Sequence, residues 1–241
     1  MPGLLSHQHP LDIDDLPSSD RLIQEHVAIV RDVVARIGSC LPEHLDFGDL
    51  AGHGLAALIE AAHDYAGPIP HFPQFARTRV TRQVVGHVTA HVWYRTCAGA
   101  AAGHLRDTYN DLRRRLGALP SDAALTGALG TDMPGLVDRL SCVSAQMAIE
   151  PREFLFPRSS GGAAHAGLSP TSALRQSLAA IPELERTVLA LYYQEDLSLL
   201  EVAQVLSCDL QMARVLFARG GLMMAAETYC AADQMTSSPV S

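Results

Sequence analysis

An all-α fold follows from three features of this sequence. Of its 241 residues, 48% are hydrophobic but only 5% aromatic, with Ala, Leu and Val abundant, which suits close helix-on-helix packing. Apolar residues recur at three- and four-residue spacing through most of the chain. Helix-start residues (Ser, Thr or Asp) and helix-stop glycines punctuate those stretches.

In chain order, residues 1–19 are polar and Pro-containing, with Asp12, Asp14 and Asp15, and predict a flexible tail. From Asp20, the apolar stripe Leu22, Ile23, Val27, Val30, Val33, Val34 and Ile37 predicts an amphipathic helix stopped by Gly38, with Pro42 soon after. A second helix starts at Asp49, read as its N-cap, and runs to Tyr65 with Leu50, Gly54, Leu55, Leu58 and Ala61 on one face. Leu55, Leu58 and Ile59 read as core, while Asp49 and Glu60 read as exposed contacts. After a Pro-containing break, a third helix to Trp93 changes character: Phe72 and Phe75 lead into Arg77, Arg79 and Arg82. Phe72 and Phe75 read as ordinary core aromatics.

Beyond Trp93, the stretch Tyr-Arg-Thr-Cys-Ala-Gly-Ala-Ala-Ala-Gly-His reads as a small-residue connector carrying Arg95. Leu105, Tyr109, Leu112 and Leu116 mark a helix that Gly117 ends. Ser121 caps a short helix to Gly130, and Thr131–Asp132 start another bearing Leu136, Val137 and Leu140. Residues 150–172 hold three prolines and a Ser-Ser-Gly-Gly run without periodicity, which is a linker signature. Downstream, Ser198 and Glu201 form a capping box, Ser207 and Cys208 a turn, and Asp209 caps a helix through Arg219. That order is a helix-turn-helix by pattern.

Bulk properties restrict the function classes. A net charge of −8 argues against a protein that coats nucleic acid nonspecifically, though clustered charge can still bind locally. All 18 basic residues are Arg, so phosphate contacts would use a planar fork. The length allows one large domain or two to three small ones. No apolar run is long enough for a membrane span and no secretory signal pattern opens the chain, so the expected location is the cytoplasm. Five scattered cysteines lack metal-ligand spacing, which predicts buried thiols. His87 and His91 are four residues apart, but no third ligand or H-E-x-x-H pattern accompanies them. Gly161-Gly162 and Gly220-Gly221 lack phosphate-loop context. The expectation is no metal, no cofactor and no catalysis.

Between Asp49 and Trp93, the residues Asp49-Leu50, Gly54-Leu55, Leu58-Ile59-Glu60-Ala61, Phe72, Phe75-Ala76, Arg79-Val80 and Trp93 resemble the most characteristic region of bacterial RNA polymerase sigma factors. The flagellar and sporulation-type alternative class is the nearest in pattern. The phrase Leu-Gly-Ala-Leu-Pro-Ser-Asp in the middle of the chain is similar to that class as well. So are Ile181-Pro182-Glu183, Glu185-Arg186, Leu191-Tyr192-Tyr193 and Leu197-Ser198-Leu199. The resemblance implies three helical domains: a core-polymerase and promoter-melting domain at 20–97, a middle domain at 98–149, and a helix-turn-helix domain at 173–230, with a tail at 231–241.

It also implies partners and site residues. Asp49, Leu50, Gly54 and Glu60 would bind core RNA polymerase. Arg77, Arg79, Arg82, Trp93 and Arg95 would hold the melted strand of promoter DNA, by stacking and phosphate pairing. Ser198, Glu201, Asp209, Gln211, Arg214 and Arg219 would serve the helix-turn-helix on duplex DNA. An anti-sigma factor is a further candidate partner. The sequence departs from the pattern where Met212 and Val215 replace expected polar readers, and where Thr81, Thr89 and Ala90 replace basic residues. Two readings therefore stand: a sigma factor that directs initiation at promoters, or a degenerate sigma-like decoy that binds polymerase or an anti-sigma partner without reading DNA.

Overall fold

The computed structural model describes residues 19–42, 45, 47–155 and 178–236. Residues 1–18 of the expected 1–19 tail, most of the expected linker, the start of the third expected domain and residues 237–241 lie outside the described residues, whereas Ser19 and residues 231–236, expected in tails, are helical. Among the described residues, ten α-helices have defined bounds: α1 Ser19–Gly38, α2 Phe47–Asp64, α3 Phe72–Ala90, α4 Gly99–Leu116, α5 Asp122–Leu129, α6 Met133–Ile149, α7 Pro151–Leu155, α8 Glu183–Tyr193, α9 Leu199–Val205 and α10 Leu210–Thr236. No strand occurs among the described residues.

Local chemistry sets most boundaries. Ser121 Oγ accepts the Ala124 N–H at 3.2 Å and Asp132 Oδ1 accepts the Gly135 N–H at 2.9 Å, capping α5 and α6. Gly117 and Gly130 close α4 and α5 in the left-handed region, at φ 65° and 61°. α2 starts at Phe47, two residues earlier than expected, so Asp49 lies in its first turn and not at the cap, with its charge toward the positive helix end.

Two apolar clusters form. One holds α1, α2 and α3 together through Val30, Leu58, Val80 and Val84, and also takes Tyr94, Ala98, Ala145 and Ile149. The other joins α4, α5, α6 and α7 to α8, α9 and α10 through Leu105, Tyr109, Met147, Phe154, Tyr192 and Phe217. The core is thus continuous between the middle helices and the helix-turn-helix.

Three expectations are corrected. The connector after Trp93 is helical: a π-turn at Tyr94–Ala98 leads straight into α4, because Ala98 and Ala102 pack with no exposure where larger side chains would not fit. The first residues of the linker are helical as well, since Phe154 in α7 is fully buried and Arg106 Nη1 donates to its carbonyl at 3.3 Å. Finally, α10 continues well past Arg219. Gly220 and Gly221 do not break it. They let it approach its neighbours: a Cβ on Gly220 would lie 2.9 Å from Leu189, and one on Gly221 would overlap the Met147 sulfur.

Candidate partner and nucleic-acid interfaces

α2 divides its residues between two jobs. Leu50 and Gly54 are buried, and a Cβ on Gly54 would come 2.9 Å from Val30. These two therefore seat the helix on α1 and α3 and do not face a partner. Asp49 and Glu60 are exposed, as expected. Leu55 and Ile59, expected in the core, are instead 39% and 38% exposed, one turn apart on the outer side of α2. With Leu50, Gly54, Leu58 and Ala61 already filling the inner face, a helical wheel leaves these two outside.

α3 carries the basic run beside α2. Phe72 is buried, edge-on to His26 and Tyr65 at 5.0 and 5.2 Å, so it is core as expected. Phe75 is half-buried, and the Arg79 guanidinium lies 5.3 Å over its ring while pairing with Asp64 at 3.1 Å. Arg82 and Arg95 are exposed and make no ion pair among the described residues. Arg77 reaches Asp196, far along the chain, at 3.4 Å. Trp93 is half-buried, packs on both apolar clusters, and meets Tyr94 edge-on at 6.5 Å. It lines a groove of ≈1220 Å³ whose walls include His104, Arg139, Ser141, Gln211 and Arg214. The π-turn that aims Trp93 is anchored by Tyr94 Oη, which donates to Glu150 Oε2 at 2.9 Å.

On the same α2–α3 seam, the His53 and His87 rings stack with centroids 4.0 Å apart. Burial, and next the neighbouring His53, hold the His87 pKa below the ordinary histidine value. No cluster of three or more metal-ligating residues exists among the described residues.

The helix-turn-helix side chains are engaged within the chain. Ser198 and Glu201 cap α9 reciprocally: the Ser198 N–H donates to Glu201 Oε2 at 2.8 Å and the Glu201 N–H donates to Ser198 Oγ at 3.3 Å. The Ser198 hydroxyl, donating to Glu201 Oε2 at 2.7 Å, and next the Ser198 N–H lower the Glu201 pKa. Asp209 Oδ1 accepts the Met212 N–H at 2.6 Å at the start of α10. Gln211 Nε2 donates to Ser141 Oγ at 3.4 Å. Arg214 is only 3% exposed, and its Nε donates to the Ser39 carbonyl at 2.7 Å. Arg219 pairs with Asp122. Gln211 and Met212 are both exposed in the first turn of α10, and Met212 is apolar there.

The end of α1 is what holds this unit. Ser39 Oγ accepts the Leu199 N–H at 2.9 Å, Arg36 Nη2 donates to the Tyr192 carbonyl at 3.1 Å, and Cys40 Sγ lies 3.6 Å from Tyr192 Oη. Burial raises the Cys40 thiol pKa to about 11, so it stays protonated and unreactive. None of these pairings was visible in the sequence, because each joins residues more than a hundred positions apart.

A three-helix unit with exposed apolar residues on α2 and arginines on α3, joined through the middle helices to a helix-turn-helix, fits the class of RNA polymerase sigma factors. No protein-family model matches the chain. It is 30% identical over 203 residues to the RNA polymerase sigma factor for flagellar operon of Vibrio parahaemolyticus, a match covering 80% of this chain and 82% of that one. It is 26% identical over 202 residues to the sigma factor FliA of Pseudomonas aeruginosa, covering 78% and 82%. The chain belongs to the flagellar RNA polymerase sigma factor family. Two solved structures share its fold. One, titled as a flagellar sigma/anti-sigma complex of Sigma-28 and FlgM, covers 92% of this chain and 99% of its own at TM-score 0.53 and 18% identity. The other, a Sigma-28(FliA)/FlgM complex, covers 87% and 96% at TM-score 0.51 and 19% identity.

Proposed function

We propose that this sigma factor binds core RNA polymerase through the outer side of α2 and directs it to promoters, holding the melted strand on α3. The observation that carries this reading is the exposed Leu55–Ile59 pair on the outer side of α2, a helix that also exposes Asp49 and Glu60 and packs against the arginine-bearing α3. Apolar side chains that solvate poorly gain most from a partner that covers them, and the flanking carboxylates set its register. Arg79, Arg82 and Arg95, with Phe75 and Trp93 beside them, supply phosphate pairing and base stacking. Family membership supports core polymerase, promoter DNA and an anti-sigma factor as partners. The role is regulatory, places the protein in the cytoplasm with the polymerase, and involves no covalent chemistry by the chain itself. No helix among the described residues is long and apolar enough to cross a membrane.

The test is transcription from supercoiled templates by purified core enzyme, with and without the protein. New start sites are expected. Core binding without new transcripts would instead favour the decoy reading, which the engagement of Gln211, Arg214 and Arg219 within the chain supports.

A further inference from the structure

One carboxylate on the helix-turn-helix side holds two arginines from the other end of the chain. Asp196 sits in the turn between α8 and α9 at φ 58°, a backbone region that non-glycine residues rarely adopt. Its Oδ1 pairs with Arg36 at the end of α1, and its Oδ2 with Arg77 Nη1 at 3.4 Å. Arg36 is itself fixed, with its guanidinium 4.6 Å over the Tyr192 ring and a bond to the Tyr192 carbonyl. The turn that docks the helix-turn-helix on α1 is therefore also the turn that occupies the first arginine of α3's basic run.

We propose that Asp196 is an internal stand-in for a DNA phosphate on Arg77, so that single-strand capture by α3 and undocking of the helix-turn-helix from α1 form one linked equilibrium. The inference rests on the strand-capture reading given above. A carboxylate and a phosphodiester each offer two anionic oxygens to a guanidinium fork, and one guanidinium edge cannot serve both. A phosphate that takes Arg77 leaves Asp196 with Arg36 alone and sets a second negative charge beside it, which repels the turn. Linkage is reciprocal: the strand weakens docking by the same factor by which docking weakens strand binding. Undocking reaches the reading helix too, because Ser39 accepts from both Leu199 and Arg214 at the same interface. Arg214 would then become available to the duplex as α3 engages the strand. The pair is solvent-exposed, with side chains 44% and 54% accessible, so it biases the equilibrium and does not lock it.

The test uses the full chain and a fluorescein-labelled single-stranded DNA of mixed sequence at low salt. Asp196→Asn is expected to bind about two- to fivefold tighter than the parent, the range for removing one exposed ion pair. Glu195→Gln, which removes the same charge from the exposed neighbour, controls for general electrostatics and should gain clearly less. Arg77→Ala should erase the Asp196→Asn gain, and small-angle scattering should show the Asp196→Asn chain more expanded before DNA is added. A gain no larger than that of Glu195→Gln, or one that persists without Arg77, overturns the proposal while leaving strand capture standing. Absence of binding in every variant, parent included, removes strand capture itself and the proposal with it.

Discussion

The arginines of α3 and those of α10 make an instructive pair. Both helices offer guanidinium groups at positions a nucleic-acid reader would use. On α3, Arg82 is exposed, and Arg79 keeps a partly accessible fork over Phe75. On α10, Arg214 is buried against the Ser39 carbonyl and Arg219 is held by Asp122. The difference is one of packing. α3 has one face on its own three-helix cluster and one in solvent, whereas α10 is enclosed by α4, α6, α8 and the end of α1. A residue type suited to phosphate therefore acts as a structural strut where the helix is surrounded, and stays free for a ligand where it is not.

The largest effect that would break this contrast is on stability. Arg214→Ala deletes a buried, charged donor and leaves the Ser39 carbonyl unpaired. It should cost about 1.5–3 kcal/mol in chemical denaturation. Arg82→Ala, at an exposed position, should stay within about 0.5 kcal/mol. Equal losses would abolish the distinction. A gain of duplex binding sharpens it next. Met212 is 49% exposed on α10, so Met212→Arg should steepen the salt dependence of duplex affinity by about 0.9 in log–log slope without loss of stability. An unchanged slope would mean that this face does not meet DNA at all. On α3, Arg82→Ala should weaken single-strand binding across all sequences alike and reduce the slope by about 0.7.

The smallest expected effect is a pH dependence at the α2–α3 seam. His87 has a lowered folded-state pKa, so the unfolded chain binds the proton more readily. Stability is then fully present above the unfolded value of about 6.5 and declines as pH falls below it. Thermal melts of the parent should show this loss between about pH 7 and 5, and His87→Asn should flatten it.

Much of this was legible along the chain because it is governed by neighbours in sequence. Ser121, Asp132 and the Ser198–Glu201 box cap their helices where their spacing says they should, since a cap bond spans only three residues. The burial of Leu22, Val30, Val33, Val34 and Ile37 follows from their common stripe, whereas Val27, expected in the same stripe, is 50% exposed. The arginine run beside Phe75 was equally plain. Leu55 and Ile59 are apolar yet exposed, because the inner face of α2 is already filled by Leu50, Gly54, Leu58 and Ala61 and hydrophobicity alone does not assign a face. The position of Trp93 is legible along the chain, but the groove it lines is built from α4, α6 and α10 and has no local signature.

By itself, the sequence determined most of the helices, most of their caps and the family, all of which depend on short-range periodicity or on pattern along the chain. Only the tertiary structure decided which charged groups remain available. Arg36, Arg77 and Asp196 meet, and Ser39 receives Leu199 and Arg214, through contacts that span more than a hundred residues. Such contacts depend on how separate helices fit together in space, and helical periodicity within any one of them is blind to that fit.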